Sequence, residues 1–162
     1  MLRKTILPCM LLWTCFLNCG NNPTGLPVSA SETWRIYDVA SSQNYADITL
    51  SKLSDSSITV RGSWYYTFFG KIITCNIMSG TATIIDTLVT ISSLGTASYP
   101  PDSSGHAVSS PFNLQMSGKF KSGISRGTWE INFNDTLWQG WINPGQFSGS
   151  LQSGNGVTAI LN

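Results

Sequence analysis

A chain of 162 residues with a formal charge of +1 has room for one hydrophobic core and needs neither metal nor disulfide staples to hold it. Only 10% of it is charged, against roughly a quarter in an ordinary soluble domain, and its polarity comes from 23 Ser and 16 Thr, residues suited to the solvent faces of strands. This balance gives no basis for nucleic-acid recognition, since no run of Lys or Arg occurs beyond Lys4.

Arg3 and Lys4 precede a mostly apolar run from Thr5 to Leu17, and small and polar residues follow, the order of an export signal. The run is about thirteen residues long and is interrupted by Pro8. It is too short for a membrane-spanning helix of roughly twenty residues. It ends in Phe16-Leu17-Asn18-Cys19-Gly20, which resembles the lipobox of bacterial lipoproteins in an atypical form. The resemblance implies loss of residues 1–18 as a signal peptide, lipid on the Cys19 sulfur, and attachment to a membrane of the bacterial cell envelope. Ordinary secretion after cleavage near Ala30, behind Val28-Ser29, is the alternative. Cys9 and Cys15 leave with the signal, so Cys75 is the one cysteine of the folded domain and has no partner for a disulfide. Residues 19–31 carry Asn21-Asn22-Pro23-Thr24-Gly25 and have the composition of a flexible tether. The domain is expected over residues 32–162.

Strand patterns then follow one another. Thr33 to Val39 sets Trp34 and Ile36 against Thr33, Arg35 and Tyr37, and Tyr45 to Leu53 sets Ala46, Ile48 and Leu50 against Asp47, Thr49 and Ser51. From Ile58 to Phe69 the alternation is long and clean, with Ile58, Val60, Gly62, Trp64, Tyr66 and Phe68 on one face. Gly70-Lys71 predicts a hairpin, and Ile72 to Met78 and Thr81 to Ser92 are rich in Ile, Thr and Val. Residues 95–111 break the rhythm and predict a long loop that contains His106. Phe112 to Phe120, Ser125 to Phe133, Leu137 to Ile142, Gln146 to Gln152 and Val157 to Leu161 complete about ten predicted strands. No amphipathic helix of ten residues is visible, and the short turns require antiparallel neighbours. Closure into an all-β, antiparallel up-and-down barrel of 8–10 strands removes the edges that so many strands would otherwise expose; a two-sheet sandwich is the alternative.

One stretch is written twice. Arg61-Gly62-Ser63-Trp64-Tyr65-Tyr66-Thr67-Phe68 returns 65 positions later as Arg126-Gly127-Thr128-Trp129-Glu130-Ile131-Asn132-Phe133. Both copies place Gly, Trp, a large apolar residue and Phe on one face, so the two strands are expected to be equivalent. These Gly-x-Trp elements, each with Arg before the Gly, are similar to those of the calycin group, the lipocalin-like and avidin-like barrels. The resemblance implies a barrel able to hold a small ligand.

The residues available for chemistry are few. His106 has no Cys or acidic residue at metal-ligand spacing, no Gly-x-Ser-x-Gly elbow occurs, and phosphate-cradling motifs are absent. No catalytic residue, metal site or cofactor is therefore expected, and the chain reads as a non-enzyme. Asp86 and Glu130 fall within predicted strands, and Glu130 alternates with Trp129 and Ile131, which directs it away from the core. Cys75 is expected to be a buried apolar group. A ligand-holding barrel lines its chamber with aromatic rings, and Trp64, Tyr66, Trp129 and Phe133 are the candidates here. The expected function is non-catalytic binding of a small apolar or aromatic ligand or of an envelope protein. The alternatives are a structural lipoprotein whose rings fill a solid core and a soluble secreted barrel.

Overall fold

Alternation with period two organises the chain into eight strands with no helix among the described residues. The computed structural model describes residues 30–54, 57–100, 108–136, 139 and 142–158. The strands are β1 (Ala30–Asp38), β2 (Ser41–Ser54), β3 (Ser57–Phe68), β4 (Lys71–Ile85), β5 (Leu88–Tyr99), β6 (Val108–Lys121), β7 (Ile124–Phe133) and β8 (Gly145–Asn155). Each pairs antiparallel with the next, and β8 returns to pair with β1, so the sheet is a closed up-and-down barrel. Every strand has a neighbour on both sides within residues 30–155, and the barrel completes its sheet without any residue before Ala30. The architecture is consistent with the lipocalin-like form that the Gly-x-Trp elements imply.

The predicted faces are those observed. Trp34, Ile36, Ala46, Ile48, Leu50, Val60 and Trp64 are fully buried, while Thr33, Arg35, Asp47 and Thr49 between them are partly exposed and Glu130 faces water. Several boundaries differ from the sequence expectation. The alternation thought to stop at Gly95 continues to Tyr99 and resumes at Val108, because Gly95, Ala97 and Ser110 hold the inward positions and carry little hydrophobic signal. Asp86 lies in the turn after β4 with φ of 54°, not within a strand. In β4 the inward set changes from Ile73, Cys75 and Ile77 to Ala82 and Ile84, because the register slips against β5 between Ile77 and Ser79. One extra residue at a bulge reverses the facing of everything after it. Of the strands expected at the C-terminal end, Leu137 to Ile142 lies outside the described residues except for Gln139 and Ile142. Val157 and Thr158 form bends beyond β8, and residues 159–162 lie outside the described residues.

Two glycine positions show how closely the wall approaches itself. Gly62 has φ of 151°, and a Cβ there would lie 2.1 Å from the Asp47 carbonyl oxygen. Gly118 and Gly127 face each other across β6 and β7. Added Cβ atoms would meet the Phe147 ring at 2.6 and 2.8 Å, so the paired absence of side chains is the seat of that ring.

The two ends of the barrel differ. The β4–β5 and β6–β7 turns are tight and lie, with the end of β2 and the start of β3, where β1 begins and β8 finishes. The opposite end carries the β1–β2 and β3–β4 turns and the two long connections, residues 100–107 and 134–144. At the tight-turn end Glu32, 1% exposed, ties the segment just beyond β8 to the first strand. Its Oε1 accepts from the backbone N–H groups of Val157 and Thr158, both at 3.0 Å, and its Oε2 from Trp34 Nε1 at 3.1 Å and Thr158 Oγ1 at 2.7 Å. Four donors on one buried carboxylate satisfy it and leave none of the four orphaned. Glu32→Ala strands those donors and is expected to cost about 3 kcal/mol of unfolding free energy. Urea denaturation measures this, and an unchanged midpoint would show that the contact is incidental.

Candidate functional site

The repeated stretch forms β3 and β7, which are four strands apart in a closed ring of eight and therefore face each other across the interior. Trp64 and Trp129 meet there, with ring centroids 4.6 Å apart and planes inclined by 48°. The pairing partners of Trp64 are Ala46 and Cys75, small residues that leave room for its indole. Trp129 lies between Met116 and Gly145. A Cβ at residue 145 would come within 2.9 Å of Trp129 Nε1, Cε2 and Cζ2, so the missing side chain lets the indole edge lie against the backbone where the β7–β8 ladder ends.

All four residues expected to line a chamber face inward. Trp64 and Trp129 are 0% and 2% exposed, Phe133 is buried and packs on Phe112 at 6.4 Å, and half-buried Tyr66 stands 6.4 Å from Trp129. They lie in the half of the barrel nearer the long connections. Trp34, Phe120 and Phe147 form a second cluster, with centroids 4.9 and 5.9 Å apart along the series.

Hydrogen bonding separates the tryptophans. Trp34 gives its N–H to Glu32, whereas Nε1 of Trp64 and of Trp129 are buried and have no hydrogen-bond partner among the described residues. The hydroxyls of Ser93 and Ser125 are also unpartnered, but a hydroxyl rotates, while an indole N–H is fixed by its ring. A buried donor without an acceptor costs about 1–3 kcal/mol. Two such groups on the tilted Trp64–Trp129 pair leave two fixed donors unspent at this level of the barrel.

Sequence reading missed two polar groups near the same end. Asp38 and Asn44 are both buried. Asn44 Oδ1 accepts from the Thr67 backbone N–H at 2.9 Å and its Nδ2 donates to Asp38 Oδ2 at 3.4 Å, while Asp38 Oδ1 accepts from the Ala40 N–H at 3.1 Å. Burial, and secondarily the Asp38 carboxylate, raise the Tyr66 hydroxyl above its ordinary pKa. Parity was the available signal: Glu32 and Asp38 share the face of Trp34 and Ile36, and Asn44 shares that of Ala46.

A groove of about 400 Å³ runs over the outside of β6 and β7 to Pro144 and Gly145, lined by outward Gln115, Thr128 and Glu130 and reached by Trp129. A shallower depression of about 880 Å³ lies over the β1–β2 turn. On the outer wall Tyr37, Tyr45 and Tyr65 form a cross-strand ladder, and Arg35 lies 5.2 Å above the Tyr45 ring while bonding Asp47 through two 2.7 Å contacts. Among the described residues no three His, Cys, Asp or Glu side chains gather as a metal site. Cys19 and His106 lie outside the described residues.

Together these features define a closed eight-stranded barrel with an aromatic pair bridging its interior. Comparison with protein-family models, curated proteins and solved structures gives no match, so the geometry alone carries the functional argument.

Cys75, fully buried beside Trp64, has its thiol pushed up to about 12 by burial. A raised acid favours the folded state fully below the ordinary thiol value near 9 and loses that contribution as pH climbs toward 12. The folded protein is expected to resist alkylation by iodoacetamide at pH 8 and to lose stability above about pH 9 with a slope of at most ~1.4 kcal/mol per pH unit from this group. Rapid labelling of the native thiol would contradict its placement in the core.

Proposed function

We propose that this chain is an exported, non-catalytic binding protein of the bacterial cell envelope, held to a membrane through lipid on Cys19, whose barrel takes a small apolar or aromatic ligand beside the Trp64–Trp129 pair. The observation that carries the ligand reading is that pair: two tilted rings in contact offer an apolar surface, and both N–H donors lack an acceptor among the described residues. On the outer side of the same wall, Trp129 but not Trp64 borders a groove of about 400 Å³, within the roughly 300–1,000 Å³ of small-molecule sites. The ligand class that fits is an aromatic or apolar body bearing one hydrogen-bond acceptor. In the anchor reading, acyl chains supply membrane affinity at about 0.8 kcal/mol per buried CH₂, which leaves the barrel free to stay in water. The tightly filled interior, with the core side chains 7% exposed or less, supports a second reading in which the barrel is a solid interaction module for another envelope protein. Secretion without an anchor is the remaining alternative.

Titration with 1-anilinonaphthalene-8-sulfonate, an aromatic body with an acceptor group, is expected to give saturable binding. Trp129→Phe removes one donor and is expected to weaken it about fivefold to tenfold, the equivalent of one hydrogen bond. Non-saturable uptake, or equal affinity in the variant, favours the solid module. Labelling of cells with radioactive palmitate is expected to mark the wild-type chain and not Cys19→Ser. Equal incorporation in the two overturns the anchor.

A further inference from the structure

Both rims of the barrel carry exposed apolar side chains, and charge tells them apart. At the long-loop end these are Val39, Phe69, Ile72 and Val108; at the tight-turn end they are Leu53, Ile85, Leu88 and Ile124. Among the described residues, Lys52, Arg61, Lys119, Lys121 and Arg126 lie nearer the tight-turn end, with only Asp86 and the buried Glu32 as acids. Asp55, in the β2–β3 turn, lies outside the described residues. The long-loop half holds Arg35 and Lys71 against Asp38, Asp47, Glu130 and Asp135. A chain of nearly zero net charge is thus basic at one end and acidic at the other.

The basic end is also ordered by register. Ile85 pairs with Leu88, Leu88 with Lys119 and Lys119 with Arg126, which makes one unbroken row of outward side chains across β4 to β7. Lys121 pairs with Ile124 beside it. Directly opposed residues of a sheet lie about 5 Å apart, so apolar and cationic groups form a single patch. Ile85 is 70% exposed and Ile124 58%, at the tips of hairpins where they protrude. Apolar tips among cations are the chemistry of a bilayer surface with anionic headgroups: the tips enter the acyl boundary and the cations stay at the phosphates. Position agrees, because β1, which Cys19 precedes in the sequence, begins at this same end.

We propose that the tight-turn end, through the row Ile85, Leu88, Lys119 and Arg126 with Lys121 and Ile124, docks on an anionic lipid leaflet and directs the long-loop end into solution. The proposal rests on the envelope reading above, though the docking itself needs no lipid on the chain. The test therefore uses residues 20–162, which contain the whole closed sheet and lack Cys19. Co-sedimentation is measured with vesicles of equal phosphatidylglycerol and phosphatidylcholine and with vesicles of phosphatidylcholine alone. Binding is expected to the anionic vesicles only and to fall with added salt. Lys119→Glu combined with Arg126→Glu is expected to weaken it about tenfold or more, and Ile85→Asp to weaken it as well, with tryptophan emission confirming that both variants remain folded. Phe69→Asp at the opposite end is expected to change nothing. No sedimentation, equal binding to neutral vesicles, or loss only in Phe69→Asp overturns the docking surface. Palmitate labelling of Cys19 is scored separately, so a labelled chain without vesicle binding sinks the docking alone, and vesicle binding without label sinks the anchor alone.

Discussion

The seam between β1 and β8 is the contact on which the molecule depends. Seven successive hairpin pairings build only an open sheet, with two rows of unpaired backbone donors and acceptors; the eighth pairing removes both rows at once. That pairing joins the two ends of the described chain, from Ser31↔Asn155 to Asp38↔Phe147, and is the most distant in sequence. No short turn fixes the register of the seam, so a contact that holds the two ends together helps to define it. Glu32 does this, standing in β1 and accepting from the backbone just past β8. A buried carboxylate is costly to place, and here the cost is offset by four donors that would otherwise be left buried and unpaired.

Closure also determines what the repeated stretch means. In an open sheet β3 and β7 would lie far apart; in a ring of eight they are opposite, and a side chain as large as Trp on each reaches the other. The tilted pair bridges the interior. Toward the tight-turn end lie Trp34 and Phe120, and Phe147 packs on Phe120 over the space that Gly118 and Gly127 leave. Toward the other end stand Tyr66 and Phe133, with Asp38 and Asn44 below the rim. Solid packing and orphaned indoles point in different directions: the core side chains have almost no exposure, while two indole donors fixed by their rings find no acceptor among the described residues.

The ends of the barrel divide the surface in the same way as the interior. Tight turns, basic residues and the start of β1 occur together at one end, and long connections, acidic residues and half-buried aromatics at the other. An up-and-down barrel with an even number of strands has this polarity built in, since first and last strand terminate at the same end. A chain tethered through its N-terminal segment would accordingly present the tight-turn end to its support.

What the sequence determined by itself is the local pattern: strands from period two, the inward face of each, the burial of Trp64, Trp129 and Cys75, and the absence of a helix among the described residues. These follow from nearest-neighbour geometry, in which adjacent side chains of a strand must point oppositely. Where small residues held the inward positions, as at Gly95 and Ala97, or a bulge reversed the face, as beyond Ile77, the pattern faded because hydrophobicity no longer marked the face. Only the tertiary structure decided that Trp64 meets Trp129, that their indole donors go without acceptors while that of Trp34 does not, and that Ile85, Leu88, Lys119 and Arg126 form one row. Each of these is a relation between strands, set by closure and cross-strand register, and no alternation within a single strand encodes it.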